Sequence, residues 1–499
     1  MNNLNSHTII MKSVTEILES LNNSPHTSGD GRSVFLLGIG GIGMSALARY
    51  FNAKGIKVSG YDKTETTLCK QLTAEGINIH YEDNLKFIDK NVVLVIYTPA
   101  IPTDHKELNY YLQNNYTVTK RSDVLGAITA RGFNICVAGT HGKTTTSTML
   151  AHILRHSGYG CNAFLGGIAV NYNSNFWLQI PTASGSSEKN VYVAEADEYD
   201  RSFLKLSPDV AIISSMDPDH LDIYGTVENM EQAFIDFSAR IKPGGLLISK
   251  YGLRRNNDLK ASNHITYDAQ NEKATVHTSN IRISNGSYVF DIKIKDRIIK
   301  EVVLNMGGMH NIENATAAIA VAVHLEIAEE KIKAAVADFK GVKRRFEYIL
   351  KNEKVVMIDD YAHHPEELRA LITGTKNLFS NKKCTVVFQP HLFSRTKNLA
   401  DGFAEVLDIA DEIILLPVYP ARELPMEGVS SNMILERMHS ENKMLMGKDD
   451  LLKHISQEVE AHVEEGFDGT VFITAGAGDI DTLVEPIKKI LGKYSIQKS

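Results

Sequence analysis

"VAGTHGKTTTSTML" occupies residues 137–150 and has the form of a phosphate-binding loop between a strand and a helix. Its two glycines, Gly139 and Gly142, free the backbone to curl around phosphate oxygens. Lys143 supplies a positive charge for the phosphates, and Thr144 offers a hydroxyl group to Mg²⁺. The usual loop has four residues between its glycines, whereas this one has two. The stretch therefore predicts an α/β domain that binds a nucleoside triphosphate through a shortened loop.

Acidic residues and a histidine follow the next two apolar stretches of the same region. "VAEADEYDRSF" places Glu195 where a strand meets a loop, and "SSMDPDHLDIYG" follows another strand. The second stretch contributes Asp217, Asp219, His220 and Asp222. Because ligands of open α/β sheets bind at the carboxyl ends of the strands, we expect these groups to converge with the loop on one Mg²⁺ site. Solvated acidic turns are the alternative for either stretch alone.

A second glycine turn, "GIGGIG" at residues 38–43, directly follows an apolar strand near the N-terminus. Its glycines are Gly38, Gly40, Gly41 and Gly43, and Asp62 ends the next strand 19 residues beyond the last of them. This arrangement is typical of a dinucleotide-binding turn, in which backbone N–H groups approach a diphosphate and the acid reaches a ribose. NAD, FAD or another nucleotide diphosphate fits the pattern, as does a turn that serves only packing.

The alternation of strands and helices predicts an α/β protein of three domains. We expect a Rossmann-like N-terminal domain over residues 30–124, a central P-loop ATPase-like domain over 125–338 and a Rossmann-like C-terminal domain over 339–499. Residues 274–305 alternate apolar and polar side chains around Asn285-Gly286. That alternation predicts a small antiparallel β annex on the central domain, with a tight turn at the Asn-Gly pair.

Two polar stretches lie outside these patterns. The residues before the first strand form a polar leader rich in Asn, Ser and Gly. "NSNFWLQIPTASGSSEKN", residues 173–190, is expected to be a polar surface loop between two strands of the central sheet.

The C-terminal third concentrates charged and imidazole side chains at predicted strand ends. Arginines there suit phosphate or carboxylate binding through paired hydrogen bonds. The candidates are Arg344, Arg345, Asp359, Asp360, His363, His364 and Arg395. Each alone could be a surface charge, so their clustering is the argument for a site.

Composition limits the functional classes. The 499 residues carry a formal charge of −7, with 43% hydrophobic and 23% charged residues, which gives no electrostatic reason to expect nucleic acid or an anionic membrane as partner. The four cysteines contain no C-x-x-C pair, so neither a disulfide framework nor a zinc cluster is expected. No stretch reaches the roughly 18 apolar residues of a membrane span, and the N-terminus has no signal-peptide pattern. A soluble, cytoplasmic protein is expected.

Together these motifs resemble the Mur ligases, the ATP-dependent amino-acid ligases of bacterial peptidoglycan synthesis. The resemblance extends over residues 32–485 and rests on "GIGGIGMS", "AGTHGKTTT", "EADEYDRSF", "DHLDIYG", "HNIEN", "RRFE", "DDYAHHP", "FQPHLFSRT" and "GAGDI". The short G-T-H-G-K-T loop is that family's usual form. Within the family the chain is most similar to the branch that adds L-alanine to UDP-N-acetylmuramate, a step of cell-wall biogenesis on which cell shape and division depend.

The resemblance implies a set of site residues. ATP would contact Gly139, Thr140, His141, Gly142, Lys143, Thr144, Thr145, His310, Asn311, Asn314, Arg345 and Asp360. The UDP part of the sugar nucleotide would lie on Gly38, Gly40, Gly41, Gly43 and Asp62, and the incoming alanine would contact His363 and Arg395. Thr144 and Glu195 would bind one Mg²⁺ and His220 a second. The implied catalytic residues are Lys143, Glu195, His220 and Arg345.

Two features bear on the choice of branch. Relatives often have a basic residue where this chain has Leu392, a departure that falls in the expected amino-acid pocket. Sibling enzymes that add later residues often use a carbamylated lysine after the metal histidine, and this chain has no lysine between Leu221 and Ile241. The second feature fits the alanine-adding branch.

Three alternatives remain at this point. A recycling ligase that attaches a tripeptide to the same sugar nucleotide shares the "EADEYD" form. A dehydrogenase would use the first glycine turn for NAD but leaves the phosphate loop without a purpose. A nucleotide-sensing module without turnover would not need Lys143, Thr144, Glu195 and His220 intact. A monomer or weak homodimer is expected.

Overall fold

The computed structural model describes residues 13–23, 32–180, 190–421, 423–464 and 469–495. Its helices are α1 (Val14–Asn23), α2 (Ile42–Ala53), α3 (Thr67–Ala74), α4 (Lys106–Gln113), α5 (Arg121–Thr129), α6 (Lys143–His156), α7 (Leu221–Tyr224), α8 (Val227–Ser238), α9 (Met309–His324), α10 (Glu329–Asp338), α11 (Pro365–Leu378), α12 (Phe393–Leu407), α13 (Asn432–Leu435), α14 (Lys448–Glu464) and α15 (Val484–Leu491). None of the helices in the described ranges is long and apolar enough to cross a membrane.

The strands are grouped into three sheets. They are β1 (Ser33–Leu37), β2 (Lys57–Tyr61), β3 (Asn78–His80), β4 (Val92–Tyr97), β5 (Val118–Lys120), β6 (Phe133–Ala138), β7 (Asn162–Ala169), β8 (Ser174–Trp177), β9 (Val191–Glu195), β10 (Val210–Ile213), β11 (Leu246–Lys250), β12 (Asn263–Asp268), β13 (Val276–Ser284), β14 (Ser287–Ile294), β15 (Arg297–Leu304), β16 (Glu347–Lys351), β17 (Val355–Asp360), β18 (Lys383–Phe388), β19 (Glu412–Leu415), β20 (Lys443–Leu445) and β21 (Thr470–Ala475). The α/β class with three domains predicted from sequence is confirmed.

The chain divides into two compact units. The first comprises Met1–Ile168, Ser174–His277 and Ala317–Ile332, and the second comprises Ala169–Asn173, Thr278–Thr316 and Lys333–Ser499. The first unit contains two sheets, so this division does not follow the three expected domains, whose boundaries remain predictions.

The first sheet of the first unit is parallel and has the order β3-β2-β1-β4-β5. The strand β1 is fully buried, as a central strand covered on both faces must be. The order reverses direction at β1, so a crevice opens beyond the carboxyl ends of β1 and β4. The glycine turn of residues 38–43 lies at this switch point.

The second sheet of the first unit is built on the order β12-β11-β10-β6-β9-β7-β8. The neighbours β10-β6, β6-β9 and β9-β7 are parallel, which brings their carboxyl ends to one edge. The phosphate loop follows β6 and leads into α6. The loop therefore lies between the ends of β9 and β10, where the acidic segments begin.

The second unit holds the predicted β annex and the third sheet. Asn285 and Gly286 both have positive φ, 53° and 68°, between β13 and β14, which confirms the tight turn. The strands β14 and β15 pair antiparallel. The third sheet has the order β16-β17-β21-β18-β19-β20, with only the edge pair β16-β17 antiparallel.

One expectation about an irregular segment was wrong, and one helix was not recognised from the sequence. The polar leader contains α1, whose Ile17, Leu18 and Leu21 are buried at helical spacing against the core of the first unit. The predicted surface loop 173–190 contains β8, in which Phe176 and Trp177 are buried. The rest of that loop, residues 181–189, lies outside the described residues.

Buried contacts explain the error at β8. Asn175 is fully buried, and its side-chain oxygen accepts a hydrogen bond from Arg49 on α2. Its side-chain nitrogen donates to the carbonyl oxygen of Ile42 at 2.6 Å. Because these partners lie more than 120 residues away in sequence, local polarity could not reveal them.

Candidate functional site

The phosphate loop has a backbone that only its glycines permit without strain. Gly139 has φ of +133° and Gly142 has φ of +80°. Lys143 is the first residue of α6, so the loop presents the free N–H groups of a helix N-terminus. The sequence prediction of a phosphate-binding loop thus has the expected local geometry.

Two serines at the end of β10 hold the loop in place. Ser215 Oγ accepts a hydrogen bond from the backbone N–H of His141 at 2.7 Å and lies 2.9 Å from Thr140 Oγ1. Ser214 Oγ donates to the backbone carbonyl oxygens of Ala138 and His141. The sequence analysis did not identify these serines. Their position as hydroxyl residues directly after a buried strand is the signal that could have found them.

The structure brings Thr144 and Glu195 together, as expected. Thr144 Oγ1 donates to Glu195 Oε1 at 3.1 Å, and the backbone N–H of Gly166 on β7 donates to Glu195 Oε2 at 3.0 Å. A hydroxyl and a carboxylate are hard oxygen ligands, the set that Mg²⁺ prefers. These residues therefore fit the magnesium ion that the family resemblance implies.

Lys143 is held by a carboxylate that the sequence analysis did not single out. Its Nζ donates to the carbonyl oxygen of Gly139 and to Glu198 Oε1, each at 2.7 Å. The side chain of Glu198 is 1% exposed, and burial raises its pKa although Lys143 opposes the shift. His220 Nε2 lies 4.0 Å from Glu198 Oε1. His220 therefore lies beside Glu198, in addition to following β10 as predicted.

The N-terminal glycine turn is closed by the acid that follows β2. The backbone N–H of Gly40 donates to Asp62 Oδ2 at 2.8 Å, and that of Thr64 donates to Asp62 Oδ1 at 3.2 Å. Gly38 has φ of +81°. Asp62 thus shapes the turn directly, and its expected contact with a ribose stays a prediction.

A cavity of about 230 Å³ lies between this turn and Glu195, the carboxylate that accepts a hydrogen bond from Thr144. Its lining includes Gly41, Gly43, Arg121, Gly166 and Glu195. A second cavity of about 230 Å³ shares Thr98, Arg121 and Asp197 with the first. The glycine turn after β1 and the end of β9 were predicted to belong to two separate sites. In the structure both line the same cavity.

Arg121 lines both cavities and was missed by sequence reasoning. It is the first residue of α5, and its Nη2 lies 3.7 Å from Asp197 Oδ2. A Cβ placed on Gly43 would lie 2.7 Å from a terminal nitrogen of Arg121, so the guanidinium lies directly against the glycine turn. A basic residue directly after β5, at the carboxyl edge of the sheet, is the signal that could have found it.

In the second unit, the two adjacent arginines differ in their surroundings. Arg344 Nε donates to Asp359 Oδ2 at 3.2 Å, and its guanidinium lies over the ring of Tyr361. Arg345 is exposed, as the expected phosphate-binding residue should be. Asp360 accepts hydrogen bonds from the backbone N–H groups of Phe346 and Ala362, each at 2.7 Å. Asp360 therefore anchors the arginine segment, and its expected contact with a ribose stays a prediction.

The two residues expected to bind alanine both lie near His391. The rings of His363 and His391 are 6.4 Å apart, and burial together with the charge of Arg395 lowers the pKa of His391. His391 Nδ1 is buried and has no hydrogen-bond partner in the described part of the chain. Leu392 has φ of 69° and precedes α12, with its backbone N–H donating to Tyr419. Sequence reasoning missed His391, although it belongs to the quoted "FQPHLFSRT".

The segment expected to reach the adenine begins α9. Asn311 and Asn314 are buried, and the side-chain nitrogen of Asn314 donates to Asn311 Oδ1 at 3.1 Å. His310 is exposed. The histidine is thus available to a ligand, whereas the two asparagines also stabilise the start of the helix.

The buried carboxyl group of Asp359 predicts a pH effect on stability. Burial raises its pKa from 3.8 to about 6, although Arg344 opposes the shift. A raised native pKa means that its stabilising contribution is complete below pH 3.8 and is lost as the pH rises through 6. We expect the unfolding free energy of the wild type, relative to Asp359→Asn, to fall by roughly 2–3 kcal/mol between pH 4 and pH 7.

Urea unfolding at several pH values checks this expectation. Asp401→Asn is the matched control, because that side chain is 94% exposed in its pair with Arg437. Its difference from wild type should not change with pH. A pH-independent difference for Asp359→Asn would contradict the expectation.

Three family models match the chain in succession. They are described as "Mur ligase family, catalytic domain" over residues 34–132, "Mur ligase middle domain" over 137–322 and "Mur ligase, glutamate ligase domain" over 344–478. The UDP-N-acetylmuramate–L-alanine ligase of Cytophaga hutchinsonii is 47% identical over 91% of this chain and 96% of its own. That of Flavobacterium johnsoniae is 46% identical over 92% of this chain and 98% of its own.

Solved structures agree in fold. The UDP-N-acetylmuramate-alanine ligase of Thermotoga maritima has a TM-score of 0.75 at 27% identity and covers 93% of this chain and 100% of its own. A murein peptide ligase from Psychrobacter arcticus has a TM-score of 0.62 at 22% identity and covers 92% of this chain and 98% of its own. With near full-length matches of sequence and fold and the phosphate loop, acidic strand ends and glycine turn in place, the chain belongs to the Mur ligase family.

Proposed function

We propose that the chain is an ATP-dependent ligase that joins L-alanine to the lactyl carboxylate of UDP-N-acetylmuramate in peptidoglycan precursor synthesis. The observation that carries this proposal is the cavity in which the glycine turn meets Glu195. A sugar nucleotide on the turn can extend its acidic end toward the phosphate loop there. A dehydrogenase or a separate nucleotide sensor would not need the two sites in one space.

The proposed reaction has two steps. A lactyl carboxylate oxygen attacks the γ-phosphorus of ATP, the bond to the bridging oxygen breaks, and an acyl phosphate and ADP form. The amine of alanine, once its ammonium group has lost a proton, attacks the acyl carbon. The carbon–oxygen bond to phosphate breaks, and a second proton passes from the nitrogen to the departing phosphate. The net products are the amide, ADP, inorganic phosphate and one proton.

The chain's own groups serve the first step through charge and position. The N-terminus of α6 binds the phosphates, and Lys143 offsets the negative charge that develops on the transferred group. Mg²⁺, when bound to Thr144 and Glu195, neutralises phosphate oxygens. Arg121 binds the diphosphate or acidic part of the sugar nucleotide beside Gly43.

Other site roles rest on the family resemblance. Arg345, Asp360, His310, Asn311 and Asn314 are proposed to bind ATP, and His363 and Arg395 to position alanine. His391, which lies near both of the last two, joins the same group because its Nδ1 is buried with no hydrogen-bond partner among the described residues.

ADP formation with UDP-N-acetylmuramate and each amino acid in turn tests the function. We expect ADP release only with the sugar nucleotide and most rapidly with L-alanine. The test also separates the recycling alternative, which requires a tripeptide in place of alanine. The relatives at 46–47% identity are alanine ligases, which favours the single amino acid.

Replacing Arg121 with alanine should weaken binding of the sugar nucleotide selectively. We expect its KM to rise by about 10–100-fold, because a charged hydrogen-bonding partner in a mostly buried position is lost. The KM for ATP should change little. Steady-state kinetics with each substrate varied provide the measurement.

Arg131→Ala is the matched control, since Arg131 pairs with Glu19 and lines neither cavity. It should leave both KM values near those of the wild type. An equal rise of both KM values in Arg121→Ala would argue for general damage to the fold and against a specific contact.

A further inference from the structure

Glu198 has one partnered and one unpartnered carboxylate oxygen. Oε1 accepts a hydrogen bond from Lys143 Nζ at 2.7 Å, whereas Oε2 is buried and finds no hydrogen-bond partner among the residues that the structure describes. The backbone of the same residue is fixed, since Tyr224 Oη donates to its carbonyl oxygen at 2.5 Å. Buried carboxylates normally use both oxygens, so the free one points to a missing ligand.

The surroundings of Glu198 supply further ligand atoms. Glu198, Asp219 and His220 each offer one oxygen or nitrogen, and these atoms lie within 4.8 Å of one another. His220 directly precedes α7, has φ of 49° and is packed against the ring of Tyr199. Two carboxylates and an imidazole form a ligand set suited to a divalent cation.

The position of Lys143 creates an electrostatic problem during the reaction. In the structure its ammonium group is bound by Glu198 and by the carbonyl oxygen of Gly139. When Lys143 turns to a bound triphosphate, Glu198 loses its counter-charge while its side chain is 1% exposed. A buried unpaired carboxylate is strongly unfavourable. A second positive charge at Glu198 would compensate the loss of the ammonium when Lys143 moves.

We propose that Glu198 binds Lys143 and a divalent cation alternately, so that a cation held by Glu198 and His220 releases Lys143 for the triphosphate. The proposal rests on the roles of Lys143 and the metal given under Proposed function. Glu198 is thereby a metal ligand and also the positioning residue for Lys143. Coupling between two binding events is reciprocal. A cation bound to Glu198 therefore weakens the interaction between Lys143 and Glu198, and that interaction weakens cation binding by the same free energy.

Two binding measurements on the full chain test the proposal without sugar nucleotide or alanine. Mn²⁺ binding is followed by electron paramagnetic resonance without nucleotide, and ATP binding is followed by calorimetry in the presence of EDTA. For Glu198→Gln we expect Mn²⁺ to bind at least tenfold more weakly. Metal-free ATP should bind about tenfold more tightly, because Lys143 is no longer retained by a charge.

A second variant gives the converse result. Lys143→Met removes the competing ammonium, so Mn²⁺ should bind about tenfold more tightly without nucleotide. This measurement also serves if Glu198→Gln fails to fold. Glu82→Gln is the matched control, since that carboxylate is 60% exposed in its pair with Lys86 and outside the cluster, and its Mn²⁺ affinity should stay within about twofold of wild type.

Opposite changes in the affinities for Mn²⁺ and for metal-free ATP distinguish the proposal from a merely structural role of Glu198. If Glu198→Gln weakens both Mn²⁺ and metal-free ATP, or leaves Mn²⁺ binding unchanged, the proposal is overturned. Unchanged Mn²⁺ binding in Lys143→Met overturns it as well. Because no ligase substrate other than ATP is present, a failed ligase assay would not by itself produce these outcomes.

Discussion

Replacing Lys143 with methionine is expected to lower alanine-dependent ADP formation by about 10³-fold or more. The substitution keeps the length of the side chain but removes the charge at the start of α6. Binding of UDP-N-acetylmuramate should stay within about threefold of wild type, because Lys143 lines neither cavity beside the glycine turn. Coupled ADP release and calorimetric titration with the sugar nucleotide provide the two measurements.

Two further variants make this experiment decisive. Lys205→Met is the matched control, since Lys205 is 56% exposed and pairs with Asp123 away from the loop, and it should retain full activity. Lys143→Met also leaves buried Glu198 unpaired, so its stability should fall. Lys143→Met combined with Glu198→Gln should recover stability without activity. Loss of sugar-nucleotide binding in Lys143→Met would contradict the separation of the two nucleotide contacts.

The phosphate loop could be predicted because its chemistry is local. Gly139, Gly142 and Lys143 lie within five positions, and the required positive φ values belong to the glycines themselves. The pairing of Thr144 with Glu195 followed from a general rule, since parallel strands bring their carboxyl ends to one edge. Both predictions concern the second sheet alone, so neither required the position of the first sheet to be known.

Contacts between sequence-distant polar groups could not be predicted in the same way. Arg121 meets Gly43 and Asp197 only because α5 begins at the edge of the first sheet. Glu198 was one of several acidic residues in its segment, and nothing local distinguishes the one that is buried against Lys143. Burial of a charge depends on the packing of distant elements, whereas sequence patterns report mainly local structure.

The polar composition of two segments concealed a buried helix and a buried strand, for a physical reason. The helix α1 has a narrow apolar stripe within a polar stretch, so its average polarity hid its helical spacing. The strand β8 contains Asn175, a polar residue whose hydrogen bonds are all made inside the fold. In both cases the positions of a few buried side chains determine the structure, whereas the average polarity of the segment does not.

Replacing Gly166 with alanine is expected to reduce kcat/KM by about 100-fold through Glu195. A Cβ placed on Gly166 would overlap the carboxylate of Glu195, which accepts the backbone N–H of Gly166 at 3.0 Å. Gly166 does not have positive φ, so alanine is compatible with the backbone of β7 and only the carboxylate must move. A misplacement of about 1 Å in a catalytic group costs on the order of 10²-fold in rate.

A double-mutant cycle separates displacement of Glu195 from obstruction of the cavity that Gly166 also lines. If Gly166→Ala acts through Glu195, adding it to Glu195→Gln should lower kcat/KM by less than about threefold further, because the carboxylate that it displaces is already lost. If it blocks the sugar nucleotide, the two losses should multiply and the KM for that substrate should rise. Initial rates across Mg²⁺ concentrations add a second criterion, since a displaced Glu195 must raise the Mg²⁺ requirement while an obstructed cavity need not.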